Sequence, residues 1–261
     1  MSVPVFHIDR EKLAGSAARL DGPEGRHAAL VRRLQPRERV NLTDGAGLLA
    51  ECVVLAADGY GLDLEVLDLR LLPAPTPRIT VIQALAKGDR GETAVETLTE
   101  IGVDVIVPWS ASRSITQWKG DRGAKALAKW RSTAWEAAKQ SRRAWWPEVA
   151  ETVTTAKAAK LLEQAALPVV LHEAAERPLT TAVQNSSVPL GAAGESAGAA
   201  PGAGAGIVLV VGPEGGISPE ELVAFAEAGA VPYRMGPTVL RTSTAGTAAA
   251  ALLLAQSGRW D

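Results

Sequence analysis

The chain has 261 residues, 47% of them hydrophobic, a formal net charge of −2 and a single cysteine, Cys52. That length suits one or two domains and the apolar content is ample for a core. One thiol excludes an intrachain disulfide, and His7, His27 and His172 lie too far apart for ligand spacing, so no metal is expected.

The first 73 residues read mostly as β-structure. A short helix is expected over 27–34, carrying Arg32 and Arg33. Strands follow at 39–43, at 48–56 after the Asp44-Gly45-Ala46-Gly47 turn, and at 62–67, where apolar and acidic residues alternate. This pattern predicts a small meander closing into a barrel. Its charge is not basic, with nine Lys or Arg against eleven Asp or Glu over 1–73. Pro73-Ala74-Pro75-Thr76-Pro77 then forms a stiff, extended connector.

Beyond the connector, strands alternate with helices. Strands are predicted at 78–84, 103–107, 167–172, 207–211 and 231–235, with helices at 92–102 and 125–141 and two more after 218 and 243. Such alternation argues for a parallel sheet covered by helices. Residues 191–206 comprise six Gly, seven Ala, one Glu, one Ser and one Pro, and read as a flexible insertion at about 185–206. The longest unbroken apolar run, 248–255, is too short to span a bilayer, and the opening residues show no signal peptide. A soluble cytoplasmic protein without a membrane partner is expected.

Charge is distributed unevenly. Between Arg113 and Arg143 stand nine Lys or Arg (113, 119, 122, 125, 129, 131, 139, 142, 143) against Asp121 and Glu136. Six of the seven tryptophans fall between Trp109 and Trp146. Basic side chains neutralise phosphates and indoles stack on bases, so RNA is a candidate partner. The competing structural explanation is a solvated helix face with Trp130 and Trp135 in a core or interface.

The most informative segments are VLVVGPEGGISPEEL (208–222) and MGPTVLRTSTAGTAAAALLL (235–254). In the first, an apolar run meets Gly212-Pro213-Glu214-Gly215-Gly216, then Ser218 as N-cap, Pro219 at the first helical position and Glu221 completing an S-x-x-E capping box. The second repeats the strand–loop–helix pattern. Both loops fall at carboxyl ends of strands, where open α/β sheets bind ligands. Neither a G-x-G-x-x-G fingerprint nor a Walker A motif is present. The glycines permit close backbone approach to a ligand, although a tight turn alone also uses glycine.

Taken together with Lys87-Gly88-Asp89-Arg90, E-x-x-x-E-I-G-V-D (96–104) and E-A-A-K-Q-S-R-R (136–143), these loops resemble the ordered motifs of the ribosomal RNA small subunit methyltransferase E family, in the SPOUT superfamily. The resemblance covers the chain from about residue 5 onward. It implies an N-terminal PUA-like β-barrel over 1–73 that binds RNA, followed by a SPOUT α/β domain over 74–261 with a C-terminal trefoil knot. The implied reaction is methyl transfer from S-adenosylmethionine to N3 of a uridine in 16S rRNA, within the 30S subunit, by a homodimer. The cofactor would be held by Leu171, His172, Glu173 and Ala174, by Gly212, Pro213, Glu214, Gly215 and Gly216, and by the loop from Met235 and Gly236 through Val239, Leu240, Arg241 and Thr242 to Thr244. Arg241 would stabilise the uracil or position phosphate, and Glu214 would accept a proton or bond the cofactor or loop amides. Arg10, Arg26, Arg32, Arg33, Lys87, Arg90, Arg113, Arg142 and Arg143 would contact RNA, the last two at a helix end near the ligand side of the sheet.

The chain departs from the family pattern in places. The last loop reads R-T-S-T-A where many relatives carry R-T-E-T-A, so Ser243 replaces an acid; Thr238 and Thr97 stand where relatives often carry arginine and lysine. Two other functions fit parts of the pattern. One is a non-catalytic RNA-binding protein, which intact cofactor loops argue against. The other is a SPOUT methyltransferase acting on tRNA or a ribose 2′-hydroxyl, which the KGDR and Q-S-R-R blocks disfavour.

Overall fold

The structure is a computed structural model and describes residues 3–13, 15–184 and 206–260. The expected Gly/Ala-rich insertion lies, apart from Gly206, outside the described residues. The chain divides into two compact units: Met1–Ala74 with Ala138–Trp146, and Pro75–Ala137 with Pro147–Asp261.

The first unit is built on β1 (Val5–His7), β2 (Ala17–Leu20), β3 (Arg39–Thr43), β4 (Leu48–Ala57) and β5 (Leu62–Leu71), in the order β1-β3-β4-β5-β2. Alternate residues of β4 and β5, among them Ala50, Cys52, Val54, Leu62 and Leu64, face one core with Leu20, Val40 and Leu42, as the period of two requires. The sheet differs from a simple meander in that β1 joins β3 in parallel. Nor does it close: β1 and β2 form its edges, with no pairing between them among the described residues, so it is a half-barrel. The helix expected over 27–34 begins earlier, as α1 (Gly22–Arg26), and continues as one wider turn through His27–Val31. Pro23 near its start suits the first helical turn.

Residues 138–146 belong to this unit through the glycine turn. The Gly47 amide donates to the Ala144 carbonyl at 3.0 Å and the Trp146 amide to the Gly45 carbonyl at 2.9 Å. Gly45 and Gly47 have φ of 72° and 96°, and a Cβ on them would lie 2.9 Å from the Trp146 ring and 2.6 Å from that of Trp145. Glycine is therefore required twice over, by backbone and by the indoles stacked against it. The Trp145 and Trp146 indoles are packing groups here, with Trp145 Nε1 donating to the Leu72 carbonyl at 3.1 Å.

The second unit is a wholly parallel sheet of β6 (Ile79–Ala84), β7 (Val105–Trp109), β8 (Glu148–Val149), β9 (Leu167–Leu171), β10 (Ile207–Val211) and β11 (Val231–Tyr233), ordered β11-β9-β10-β6-β7-β8. Its helices are α2 (Arg90–Ile101), α3 (Gly120–Gln140), whose last residues from Ala138 belong to the first unit, α4 (Thr155–Glu163), α5 (Pro219–Glu227) and α6 (Thr242–Gln256). All five residues of β10 are buried, because both neighbours and both faces are covered. Leu209 and Val211 pack with α2, α3 and α6 residues such as Leu98, Trp130 and Leu253, whereas Val208 and Val210 pack with Leu162 of α4 and Phe225 of α5. Trp130 meets Trp118 edge-on at 5.0 Å, in the core as its helical spacing suggests.

Helix α6 is apolar, yet not buried all round. Gly246, Ala249, Ala250, Leu253 and Leu254 face the core, while Thr244, Ala248 and Ala255 are exposed. Its far end is fixed by Arg259, which pairs with both carboxylate oxygens of Asp104 and donates to the carbonyls of Gly102 at 2.7 Å and Pro77 at 2.9 Å. No helix among the described residues is long and apolar enough to cross a membrane.

Candidate functional site

Three parallel strands, β9, β10 and β11, end on the same side of the sheet, and the segments leaving them enclose a cavity of about 210 Å³. β9 delivers Leu171, His172 and Glu173; β10 delivers Val211, Gly212, Pro213, Gly216 and Ile217; β11 delivers Tyr233, Arg234, Met235 and Gly236, followed by Pro237, Thr238, Val239 and Leu240. Ala245 in the first turn of α6 closes the wall. A short parallel strand followed by a loop and a helix leaves backbone polar groups at the strand's end, and because these strands run parallel their carboxyl ends share one edge.

The β10–α5 turn is fixed by its capping box. Ser218 Oγ accepts the Glu221 amide at 3.3 Å and Glu221 Oε2 accepts the Ser218 amide at 3.0 Å. The remaining oxygen of Glu221 accepts the Ser112 amide at 2.7 Å and the Thr155 hydroxyl at 3.1 Å. This carboxylate is 4% exposed and fully engaged, so it orders three segments rather than doing chemistry. Gly216, with φ of 74°, makes the turn into it.

The cavity collects ten of the residues expected to bind a cofactor: Leu171, His172, Glu173, Gly212, Pro213, Gly216, Met235, Gly236, Val239 and Leu240. Glu214, Gly215, Arg241, Thr242 and Thr244 stand outside its lining, as does Ala174. Gly215 turns toward Arg113: a Cβ there would sit 3.0 Å from the Arg113 carbonyl oxygen. Its φ is not positive, in contrast to Gly216. A side chain at 215 would therefore meet protein first. Arg234 is exposed and lines the cavity; sequence reasoning missed it. Its place directly after β11 was the available signal.

Glu214 accepts the Lys87 amide at 3.1 Å and the Arg90 guanidinium at 3.0 Å. Partial burial pushes its pKa up, but the surrounding amides and Arg90 outweigh that and hold the carboxyl below its ordinary value. An ionised, twice-bonded carboxylate is a poor proton acceptor near neutral pH, and of its expected roles the structure favours the bond to a loop amide. Arg241 caps α6 through its backbone carbonyl, and its exposed side chain makes no cap bond to the helix.

The expected RNA contacts scatter. In the first unit, Arg26, Arg32, Arg33 and Arg142 are exposed, Arg33 and Arg142 with φ of 54° and 57°. Arg10 is paired with Asp44 at 2.7 Å. Arg143 is half-buried, its Nε donating to the Trp145 carbonyl at 2.8 Å. Both residues at 142 and 143 belong to the unit of the half-barrel, not to that of the sheet with which they were expected. In the second unit Lys87 is exposed, Arg90 is held by Glu214, and Arg113 reaches the Gly215 carbonyl at 3.4 Å. Among the described residues no group of three or more His, Cys, Asp or Glu could hold a metal ion.

Comparison with known proteins assigns this arrangement. A family model described as an RNA methyltransferase domain matches residues 73–254, and one described as an RNA methyltransferase PUA domain matches residues 20–67. The class is thus an RNA methyltransferase with a PUA domain. The chain is 41% identical over 266 residues to ribosomal RNA small subunit methyltransferase E of Mycobacterium bovis, covering 100% of this chain and 95% of that protein. It is 25% identical to the Bacillus subtilis protein of the same name, over 87% of this chain and 85% of that one. The crystal structure of a ribosomal RNA small subunit methyltransferase E from Neisseria gonorrhoeae bound to S-adenosyl methionine superposes with a TM-score of 0.76, at 26% identity and over 98% of both chains. The chain belongs to the ribosomal RNA small subunit methyltransferase E family.

Proposed function

We propose that this protein transfers a methyl group from S-adenosylmethionine to N3 of a uridine in 16S rRNA of the small ribosomal subunit. The observation that carries the proposal is the cavity at the ends of β9, β10 and β11, lined by the loops that the family motifs single out. Its donor set fits the cofactor. Leu171, Val211, Ile217, Met235, Val239 and Leu240 supply apolar walls for the adenosyl group, and main-chain groups around Gly212 and Gly236 supply bonds to its polar edge. Glu173 offers a carboxylate to its cationic end and Arg234 a cation to its carboxylate.

When bound, S-adenosylmethionine supplies a methyl group already activated on a sulfonium, so alignment is the protein's principal task. Uracil N3 gives up its proton to solvent, and the resulting anion is the nucleophile. Arg241, exposed at the end of the cavity loop, stabilises the charge that develops on the base. Glu214 holds the Lys87–Arg90 loop instead of accepting the proton. Ser243 is buried in the first turn of α6, so this chain offers no carboxylate at that position.

The functional form is a cytoplasmic homodimer, and the last loop with α6 forms a trefoil knot. Val239, 80% exposed at the cavity rim, and the exposed small-residue side of α6 support a covered interface there. The exposed arginines 26, 32, 33 and 142 support RNA docking on the PUA-bearing unit. The test combines calorimetric titration with S-adenosylmethionine, without metal, and methyl transfer to purified 30S subunits. Binding together with 3-methyluridine in 16S rRNA is expected; absence of binding by the folded protein defeats the proposal. Sedimentation at micromolar concentration should give a dimer, and a monomer alone would refute that part.

A further inference from the structure

We infer that Gln83 is a positioning residue that presets the cofactor cavity through Thr242. It deepens the methyl-transfer proposal above and rests on it. Gln83 sits at the carboxyl end of β6 and is 0% exposed, in register with Val211 on one side and Pro108 on the other. Its Nε2 donates to Thr242 Oγ1 at 3.0 Å, with Thr242 O and Ala84 O each at 3.3 Å. The Thr242 hydroxyl donates to the Gly212 carbonyl at 2.8 Å. That direction is fixed by chemistry: a carbonyl only accepts, so the hydroxyl gives its proton to Gly212 and can only accept from Gln83. Three acceptors around one nitrogen likewise settle the orientation of the Gln83 amide.

The chain Gln83–Thr242–Gly212 therefore ties β6, the first turn of α6 and the wall of the cavity. Thr242 stands two residues after the end of the 235–240 segment that forms the opposite wall. Gln83 Oε1 is buried without a hydrogen-bond partner among the described residues, which lowers stability relative to an apolar side chain of the same shape. Close approach of α6 also depends on Gly246, where a Cβ would stand 3.1 Å from Val211 Cγ2 and 3.4 Å from Gln83 Oε1. A buried amide that weakens the fold but braces both walls of a binding cavity is placed for ligand binding rather than for stability.

The experiment titrates the full chain with S-adenosylmethionine as wild type, Gln83→Met, Thr242→Val, Thr242→Ser and the Gln83→Met/Thr242→Val double variant. Each of the first two substitutions should weaken binding roughly tenfold, the loss of one buried hydrogen bond with its coupled partner. The double variant should be no weaker than the worse single, because both cut one chain. Thr242→Ser keeps the hydroxyl and should bind as wild type. In turnover, Gln83→Met should raise KM for S-adenosylmethionine and leave KM for the rRNA substrate alone. Unchanged affinity in Gln83→Met and Thr242→Val, multiplicative losses in the double variant, or failure of Thr242→Ser to restore binding would each overturn the inference. If Gln83→Met does not fold, the two Thr242 variants decide it alone. Failure of the wild type to bind would instead strike the functional proposal itself.

Discussion

Arg259→Ala removes a cation buried at the end of the chain and should destabilise the sheet-bearing unit without touching the cavity. The guanidinium binds both oxygens of Asp104 and the carbonyls of Gly102 and Pro77. Its side chain is 8% exposed and that of Asp104 12%. After the substitution Asp104 keeps the Ile79 amide at 2.8 Å but loses the Arg259 guanidinium. Removing one partner of a buried pair costs about 3–5 kcal/mol. The retained amide bond argues for the lower end, about 3 kcal/mol. For a unit of this size that corresponds to a fall in Tm of roughly 6–12 °C. Differential scanning calorimetry of the full chain would read it, with S-adenosylmethionine affinity at 25 °C as a control expected to stay within about twofold, the additivity error for distant sites. A fall under roughly 2 °C, equivalent to a surface ion pair, would show that Arg259 does not anchor α6 as the contacts imply.

Other expected outcomes are independent of this one. Gly215→Val should perturb the fold before it perturbs binding, because its Cβ meets Arg113, whereas Gly236→Val, with open space around its Cβ, should fold normally and abolish cofactor binding; a thermal melt beside each titration separates them, and intact binding in Gly236→Val would refute the placement of that loop. Glu214 has a depressed folded-state pKa, so its bonds contribute above the unfolded value of 4.5 and are lost as pH falls from there through the folded value. Wild-type stability should therefore drop across that acidic window and Glu214→Gln should show a shallower drop; identical pH profiles would contradict the Arg90 tie. Arg142→Ala should lower the log–log salt slope of rRNA binding by roughly one unit and Arg143→Ala should chiefly lower Tm, since it holds the Trp145 carbonyl; the reverse pattern would exchange their roles.

The edge of the sheet that bears the cavity was legible in the sequence, and the first unit much less so. β10 and the capping box at Ser218 were readable because both are local, an apolar run of five and a four-residue hydrogen-bond signature. β1 and β2, at three and four residues, are too short to show a period and exist only through their partners. α4 was less legible because it is short, nine residues against the 21 of α3, and only Ala158 and Leu162 in it are buried. The attachment of 138–146 to the half-barrel was invisible because indoles on Gly45 and Gly47 link positions about a hundred residues apart. Motif resemblance found the cavity loops, yet it could not tell which residues face inward. Glu214 and Gly215 turn away toward Arg90 and Arg113, while Arg234 and Ile217, outside any motif glycine, line the cavity.

The central claim concerns one methyl group on one base of 16S rRNA, and nucleoside mass spectrometry tests it most directly. 16S rRNA from cells lacking this protein should contain no 3-methyluridine at the target position, and the wild-type chain supplied in trans should restore it. An Arg241→Ala chain should restore little, because the developing charge on the base then lacks its cation. Undiminished 3-methyluridine in the deletion strain, or loss of a 2′-O-methyl or tRNA modification instead, would contradict the account.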